Sequence, residues 1–448
     1  MLFINLIRLL SFSLIVSFIL APCNVMSQGL SVVKPISDTL SLSLNQAEKL
    51  FLDKNLTLLA QRFQVEANKA LIIQAKLYAN PNFSGTVLIR NNNYPDAKAQ
   101  DGSTVKAHHK YFDFTSTGEQ SFQIGQLITL AGKRRNAIRV AKTNTTMADD
   151  QFYDLIRTLK AQLRIDFYTI YYNQQSLSVY GQEINALQTT SNAYKQLVVQ
   201  GFIAKKEALR IQAQLFALKN ELIALKYQII QSESDLNILL ADNGIYYLPL
   251  VNDAALDKLS VKELKIQDLN ESALANRYDL KVATANLESS KYSLQLQRSL
   301  SIPDPTIGYG FDRNGSYVPS SRSLSVGIDI PIFNRNQGNI KNAKFNIKNN
   351  EAQLLNQQKV VQGDVFKAYN AALLNEQMAS SFDPAFSEDY NLLVIEVLKN
   401  YQKRNIGLLE FLDYYDSFKQ NVLQSNTLKL NRINAYEQLN FAVGRDIF

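Results

Sequence analysis

The chain has 448 residues, of which 46% are hydrophobic and 19% charged, and its formal net charge is +7. This apolar content argues against a wholly disordered chain. Two histidines, His108 and His109, and one cysteine, Cys23, are too few for a zinc enzyme, a disulfide scaffold or a Cys-His protease. The basic residues are scattered, which gives little support to nucleic-acid binding.

Residues 1–27 predict a cleaved secretory signal peptide. One charge, Arg8, precedes an apolar run over residues 9–21, which has the length of a signal h-region and is too short to span a membrane. Cys23 follows a box that loosely resembles a lipoprotein cleavage site, but Pro22 stands where a small residue is usual. We expect Cys23 to be removed with the signal, and a lipid-anchored N-terminus is the alternative.

Two parts of the chain repeat one order of predicted elements: helix, strand, polar loop, strand, long helix, turn and returning helix. Pro81 and Pro305 introduce the first strand of each part, and Gly125 and Gly327 lie in the second strands. Such self-similarity indicates a tandem repeat. The predicted organisation is a first repeat over 28–242, an equatorial linker over 243–268 and a second repeat over 269–448.

The long helices have a coiled-coil period. From Phe152 to Val198 the apolar residues recur mostly at steps of three and four, which predicts a helix over about 133–200, roughly 100 Å long at ~1.5 Å per residue. Gly201 and Gly407 are predicted to end the outgoing helices at the tips of two helical hairpins. Asp383-Pro384 is predicted to interrupt the second outgoing helix. Taken alone, this line of apolar residues along the helices is typical of an ordinary coiled-coil rod.

The predicted strands have one apolar face and one small or acidic face. Ile307, Tyr309 and Phe311 alternate with glycine and aspartate. The apolar face is the core of a soluble sheet or the lipid-facing side of a membrane barrel. The strands alone favour the soluble sheet, whereas the signal peptide, the long hairpins and the repeat together favour the barrel. Four strands are too few to close a wide barrel, so several chains must contribute.

With these features the chain resembles the TolC-like outer-membrane efflux proteins over about residues 40–444. The repeat, the proline strand starts and the glycines of the second strands carry the resemblance, as do the two tips. The first tip reads Gly201-Phe202-Ile203 with Glu207, and the second runs from Gly407 to Asp413. The run Gly132-Lys133-Arg134-Arg135 at the start of the long helix is similar to the heavy-metal cation-efflux branch.

The resemblance implies a mainly α fold with a small β part. It implies a homotrimer in which each protomer gives four strands to a twelve-stranded outer-membrane barrel and its hairpins to a periplasmic α-barrel, belted by the equatorial linker and both chain ends. It further implies a passive exit duct, without enzyme activity, cofactor or nucleic-acid partner. A periplasmic adaptor and an inner-membrane pump are the implied partners. A periplasmic coiled-coil adaptor or structural rod is the alternative function.

The resemblance also assigns a gate at the periplasmic tips. Glu410 and Asp413 match two family acids, which at i,i+3 can form stacked carboxylate rings in a trimer. Tyr401 matches the family's constraining tyrosine and Glu207 its acidic partner on the neighbouring hairpin. The family's gate arginine is not matched, because Ile406 occupies its position and Arg404 is only near it. The alternative for the two acids is a solvated helix face.

Two further groups of residues leave their alternatives open. His108 and His109 lie in the loop between the first two strands, where they are either solvated or capture a metal ion. Lys133, Arg134 and Arg135 contact lipid phosphate or water at the edge of the barrel. The sequence offers no nucleotide-binding loop and no nucleophile motif.

Overall fold

The computed structural model describes residues 39–87, 97–98, 104–105, 120–313, 320–381 and 405–448, with 393, 396, 397, 399–401 and 403 of the second outgoing helix. Several predictions therefore lie outside the described residues: the signal peptide, Cys23, His108, His109, Asp383-Pro384 and Arg404.

The described residues are mainly helical, as predicted. The helices are α1 (Leu44–Lys54), α2 (Leu56–Lys76), α3 (Lys133–Val199), α4 (Lys205–Leu240), α5 (Asp253–Leu256), α6 (Ile266–Asn276), α7 (Tyr278–Leu300), α8 (Gln337–Ser380) and α9 (Leu408–Val443). The strands are β1 (Thr39–Ser43), β2 (Asn82–Val87), β3 (Ala97–Lys98), β4 (Thr104–Val105), β5 (Gln120–Leu127), β6 (Tyr246–Leu250), β7 (Pro305–Arg313) and β8 (Ser320–Ile328). No helix of these described ranges is both long enough and apolar enough to cross a membrane.

Helix α3 is the longest of the described helices, and four other long helices pack against it. Its 67 residues extend for roughly 100 Å at ~1.5 Å per residue, and it packs against α2, α4, α7 and α9. It ends in a Schellman turn at Gly201, whose φ of 77° lies in the left-handed region that glycine tolerates. The turn is closed by the Phe202 N–H, which donates to the Leu197 carbonyl at 2.9 Å. The chain then returns as α4.

The second tip is built differently from the prediction. Gly407 has extended backbone (φ −77°, ψ 161°) and is the N-cap of α9, so it begins the returning helix instead of ending the outgoing one. The Asn405 N–H donates to the Asn400 carbonyl at 2.9 Å, so the outgoing helix closes before Gly407 is reached. In the first hairpin the corresponding N-cap is Ala204. Glu207 and Glu410 are therefore equivalent, each in the first turn of a returning helix.

The four longer strands outside the equator form one antiparallel sheet in the order β2-β5-β7-β8. Pro305 is the first residue of β7, and Pro81 directly precedes β2. The hairpins β2–β5 and β7–β8 come from the two repeats, and β5 and β7 join them. The tandem repeat is thus visible in the sheet, and β2 and β8 are its edges.

The two faces of this sheet differ as the sequence predicts. One face carries large apolar side chains, namely Phe83, Phe122, Ile124, Ile307, Tyr309, Leu324 and Val326. On the other face Gln123 donates to the Ser325 hydroxyl at 3.0 Å across β7. Gly308 permits this contact, because a Cβ there would lie 2.5 Å from the Ser325 Oγ.

A second, parallel pair of strands lies at the equator of the hairpins. β1, at the start of the described chain, pairs with β6 of the linker. Beneath them is the main core, which contains Phe51, Phe167, Tyr247 and Tyr436. The C-terminal Phe448 stacks on Tyr436 with ring centroids 4.5 Å apart. The start of the described chain therefore pairs with the linker, and its C-terminal end packs against the main core at the same level.

Candidate gate at the hairpin tips

A column of stacked rings joins the two hairpins near their tips. Tyr401 of the second outgoing helix stacks on Tyr194 of α3 at 6.3 Å and on Phe411 of α9 at 4.2 Å. Phe411 in turn contacts Tyr415 at 4.8 Å. Phe411 is fully buried and belongs to a second apolar core, which also contains Leu187 and residues of α4. These rings fix the outgoing and returning helices of the second hairpin against α3.

Tyr401 and Glu207 lie on one groove, as the resemblance implies. The groove has a volume of about 1190 Å³ and is also lined by Lys206 and Arg210. The Tyr401 hydroxyl is buried and has no hydrogen-bond partner among the described residues, so it does not bond Glu207 within the protomer. Burial raises the pKa of Tyr401, so this group is a neutral donor. Within the part of the chain that the structure describes, it is therefore a hydrogen-bond donor without an acceptor.

Glu410 and Asp413 share an exposed side of α9. Both side chains are exposed, whereas Phe411 and Tyr415, on the other side of the helix, are buried. Their i,i+3 spacing places the carboxylates one turn apart on one face. Glu410 lies in the first turn, where the helix dipole favours a negative charge. Among the described residues, no group of three potential ligands could hold a metal ion.

Ile406 occupies the position of the unmatched arginine. Its side chain is half-buried, packs against the second apolar core and contributes to the wall of the groove. At this position the two hairpins are therefore held by apolar packing. Ile406 cannot form an ion pair, so at this position the packing of the second tip is supplied by apolar contacts and by the column of stacked rings.

A buried lysine lies below the ring column, and the sequence analysis did not identify it. The Lys419 side chain is 2% exposed, and its Nζ lies 3.0 Å from Glu221 of α4 and 2.9 Å from Asp416. Tyr180 of α3 donates to the same Glu221 carboxylate at 3.3 Å. The available signal was position: Lys419 follows Phe411 and Tyr415 at steps of four, on the apolar side of α9.

Glu183 of α3 is a second buried charge in this cluster. Its Oε2 atom has no hydrogen-bond partner among the described residues. Burial raises the pKa of Glu183 to about 7, with smaller contributions from Asp416 and Glu221, while Lys419 acts in the opposite direction. The cluster is thus three carboxylates around one ammonium group, and one of the carboxylates titrates near neutral pH.

The basic run at the start of α3 has mainly structural contacts. The Lys133 ammonium is buried and lies 2.7 Å from Asp304, at the start of β7. The guanidinium of Arg134 lies 4.2 Å from the Tyr78 ring centroid, and its Nε donates to the Lys76 carbonyl at 2.7 Å. Lys133 therefore takes neither predicted role, because it is buried away from lipid phosphate and water alike. Arg135 is exposed.

Comparison with known proteins identifies the family. The profile of the family described as "Outer membrane efflux protein" matches residues 49–242 and 269–445. The cobalt-zinc-cadmium resistance protein CzcC of Cupriavidus metallidurans is 22% identical over 303 residues, which are 67% of this chain. The chain spans 66% of the length of that curated relative.

Solved structures share the fold. CusC, crystallised in a study of folding and transmembrane channel formation, superposes with a TM-score of 0.69 at 15% identity, over 92% of this chain and 96% of CusC. The Campylobacter jejuni outer membrane channel CmeC gives a TM-score of 0.72 at 14% identity, over 90% of this chain and 85% of CmeC. The family is one of channels and not of enzymes. The chain therefore belongs to the TolC-like outer membrane efflux protein family, whose members lie in the outer membrane and extend into the periplasm.

Proposed function

We propose that this chain assembles as a homotrimer and forms a passive exit duct for small molecules. The observation that carries the proposal is the four-stranded sheet, which has one apolar face and whose edge strands, β2 and β8, each pair on one side only among the described strands. Three copies supply twelve strands, enough for a barrel with an aqueous lumen, and the apolar face meets lipid. The hairpins of the three copies enclose a tunnel through the periplasm.

The tips are the proposed contact for a periplasmic adaptor, which connects the duct to an inner-membrane pump. Val199, Phe202 and Leu409 are large apolar residues at the tips, and all three are well exposed. Apolar side chains grouped at one end of a protein often mark a protein interface. The pump supplies the energy of transport, since the duct has no nucleotide-binding motif.

We infer that the tip is the gate. In a trimer Glu410 and Asp413 make two rings of three carboxylates, which favour cations and raise an electrostatic barrier to anions. Tyr401 and Glu207 face the same groove, and the Tyr401 hydroxyl, which has no partner among the described residues, is a donor for an acid that approaches when the hairpins tighten. The ring column around Phe411 provides the apolar part of the closure.

For the cargo we propose metal cations ahead of organic drugs. CzcC, whose name states resistance to cobalt, zinc and cadmium, aligns with two thirds of this chain, and carboxylate rings suit cations. Deleting the gene in its host should increase sensitivity to zinc, cobalt or cadmium salts, and the intact gene should restore resistance. Increased sensitivity to hydrophobic drugs alone would assign the duct to another cargo.

The assembly is tested by heat-modified mobility of the purified protein on a denaturing gel. A trimeric barrel resists detergent and runs as a trimer until it is boiled. A periplasmic coiled-coil adaptor or rod, the alternative, runs as a monomer before and after boiling. Fractionation of cells should place the protein with the outer membrane, and recovery in the soluble periplasmic extract would support the rod.

A further inference from the structure

The ends of the long helices that adjoin the four-stranded sheet are strongly basic. The first twelve residues of α3 and of α8 and the last twelve of α7 contain five, three and two lysines or arginines, ten in all, and no acidic residue. The whole chain has 47 basic and 40 acidic residues. Basic residues that look scattered along the sequence are therefore brought together where the helices meet the strands.

Five of these residues form a basic strip on the adjacent helices α3 and α7. They are Arg135, Arg139 and Lys142 of α3 and Lys291 and Arg298 of α7. Steps of three, four or seven residues place the members from each helix on one face of that helix. The Arg139 guanidinium donates to the Gln295 side chain of α7 at 3.3 Å. Gln295 lies between Lys291 and Arg298 on the same face of α7, so the two basic faces adjoin.

The basic strip has no charge partner in the described part of the chain. All five residues are exposed, and none of the ion pairs found among the described residues involves them. Lys133 at the same corner differs, since it is buried and its ammonium group lies 2.7 Å from Asp304. The nearest acid along α7, Glu288, lies beyond the far end of the strip. At ~1.5 Å per residue and a helix spacing of ~8–10 Å, the strip covers roughly 10 Å by 10 Å.

Exposed apolar residues lie between the basic strip and the strands. Leu130, which precedes α3, is 40% exposed, and Leu300 and Ile302 at the end of α7 are 47% and 48% exposed. They continue the apolar face of the sheet towards the helices. An apolar surface followed by a basic one matches the order in which a protein meets the hydrocarbon and then the charged headgroups of a membrane.

The opposite side of α3 and α7 is lined by uncharged polar groups. Ser289 and Ser293 lie two positions before and after Lys291, which places them on the other side of α7. With Asn346 of α8 they line a cleft of about 260 Å³, and the Ser289 hydroxyl donates to Asn144 of α3 at 2.8 Å. Hydroxyls and amides suit the wall of a water-filled duct for cations, which a basic wall would repel. The strip therefore belongs on the outer side of the helices.

We propose that the basic strip binds the headgroups of anionic phospholipids in the membrane leaflet next to the helices. The inference rests on the proposed duct, whose sheet lies in the membrane, and adds a lipid-binding site to it. Arg135 and Arg298 are nearest the sheet and lie level with the headgroups, where a guanidinium donates to a phosphate. The acyl chains then continue over Leu130 and Ile302.

The other three cations act from below the headgroups. Arg139, Lys142 and Lys291 lie about 6–10 Å further along the helices at ~1.5 Å per residue. This distance is comparable with the Debye length of ~8–10 Å at physiological salt, so their attraction still reaches the headgroups. The whole strip therefore favours a lipid with net negative charge over a zwitterionic lipid.

Lipid retention by the purified full-length protein tests the basic strip. The protein is exchanged in detergent into an equal mixture of phosphatidylglycerol and phosphatidylcholine, purified again, and its retained lipids are counted. The test variant is Arg135→Gln with Lys142→Gln and Arg298→Gln, which leaves the contact between Arg139 and Gln295 in place. Mobility on a denaturing gel before and after boiling checks that each variant assembles like the wild type.

The matched control removes the same charge from the hairpin far from the sheet. It is Lys195→Gln with Lys205→Gln and Lys226→Gln, three exposed positions that form no ion pair among the described residues. The wild type and this control should retain phosphatidylglycerol in preference to phosphatidylcholine. In the test variant the preference should fall by at least about fivefold, the effect of one cation at the headgroup level. An equal preference in the wild type and the test variant would overturn the inference.

Two further measurements on the wild type need no variant. Salt at 0.5 M should reduce the preference for phosphatidylglycerol, because it screens exposed charges, and a preference that salt leaves unchanged would contradict recognition by the strip. Inorganic phosphate at the concentration of the lipid should not displace phosphatidylglycerol, because it lacks acyl chains. Displacement would show that the strip recognises free phosphate and would overturn the assignment to lipid.

The reversal potential under a salt gradient separates the two sides of the helices. It should be the same in the test variant and in the wild type, because the strip faces away from the lumen. A shift towards cations with unchanged lipid preference would place the strip inside the duct and overturn the inference, while the duct itself would stand. A protein that retains neither lipid and does not insert into a bilayer would overturn the proposed function as well.

Discussion

The Lys419 ammonium group lies 3.0 Å from the Glu221 carboxylate and thereby connects the returning helices of the two hairpins. Lys419 is almost completely buried, whereas Glu221 is 44% exposed, so the pair lies where the helix interface meets solvent. Hydrogen bonds to Asp416 and Glu221 offset burial and raise the pKa of Lys419. A buried ammonium group requires these partners, because an unpaired charge there is costly.

Replacing Lys419 with Met should lower the stability of the hairpin packing. The change removes the counter-charge of Glu183 and leaves that carboxylate buried, and we expect a loss of about 2 kcal/mol, reduced from the fully buried case because Glu221 and Asp416 are partly exposed. Thermal unfolding followed by circular dichroism measures the effect. Lys69→Met, which removes a surface lysine paired with Glu66, is the control and should leave the unfolding temperature unchanged. Equal effects would contradict the assignment.

Glu183 should make the stability of the packed hairpins depend on pH. Its pKa is raised from 4.5 to about 7, so its contribution is fully present below about pH 4.5 and is lost as the pH rises through 7. The charged groups that face it are Lys419 and Asp416 on α9 and Glu221 on α4. At ~1.4 kcal/mol per pKa unit the loss is at most about 3.5 kcal/mol.

The Glu183→Gln variant measures that contribution directly. Unfolding temperatures at pH 5 and pH 8 should differ less in this variant than in the wild type. Part of the dependence should remain, because burial also raises the pKa of Glu233 to about 7 and that of Asp166 to about 6. An unchanged pH profile would show that packing does not raise the pKa of Glu183 and would contradict its assigned contribution.

Replacing both tip acids should change ion selectivity. Glu410→Gln with Asp413→Asn removes six carboxylates from a trimeric tip and should lower cation preference and weaken block by multivalent cations. The reversal potential under a salt gradient measures the preference. Since both residues are exposed, we expect the unfolding temperature to stay close to that of the wild type. A wild-type reversal potential in the variant would mean that the two acids form an ordinary solvated face.

Tyr401→Phe separates gating from packing. The ring column is kept, and the hydroxyl that is lost has no hydrogen-bond partner among the residues that the structure describes, so the unfolding temperature should not fall. If Glu207 accepts from this hydroxyl in the closed trimer, the variant should conduct more than the wild type, and Glu207→Gln should behave similarly. Lower stability with unchanged conductance would assign Tyr401 to packing alone.

Sequence periodicity was sufficient for the long helices and the paired strands. The steps of three and four before Val198 predicted α3, and the alternation around Tyr309 predicted β7, because both patterns follow directly from which face is buried. The turn at Gly407 was assigned less accurately, because glycine is most common just after a helix end but also occurs as an N-cap, as it does here. Neither periodicity nor composition indicates which distant charges meet.

The contacts that sequence reasoning missed are those between elements far apart in the chain. Lys133 of the first repeat contacts Asp304 of the second, and Lys419 of the second hairpin contacts Glu221 of the first. A lone lysine on an apolar helix side was the available signal for Lys419. For Asp304 the available signal was a difference between the repeats. The equivalent residue of the first repeat is the uncharged Asn80, so the carboxylate occurs in the second repeat only.

The most direct test of the central claim is single-channel conductance of the purified protein in a planar lipid bilayer. A trimeric duct that is nearly closed by its acidic tips should insert and give small, long-lived, cation-selective conductance steps. A folded helical protein that never inserts and gives no conductance would contradict the duct and favour a periplasmic rod.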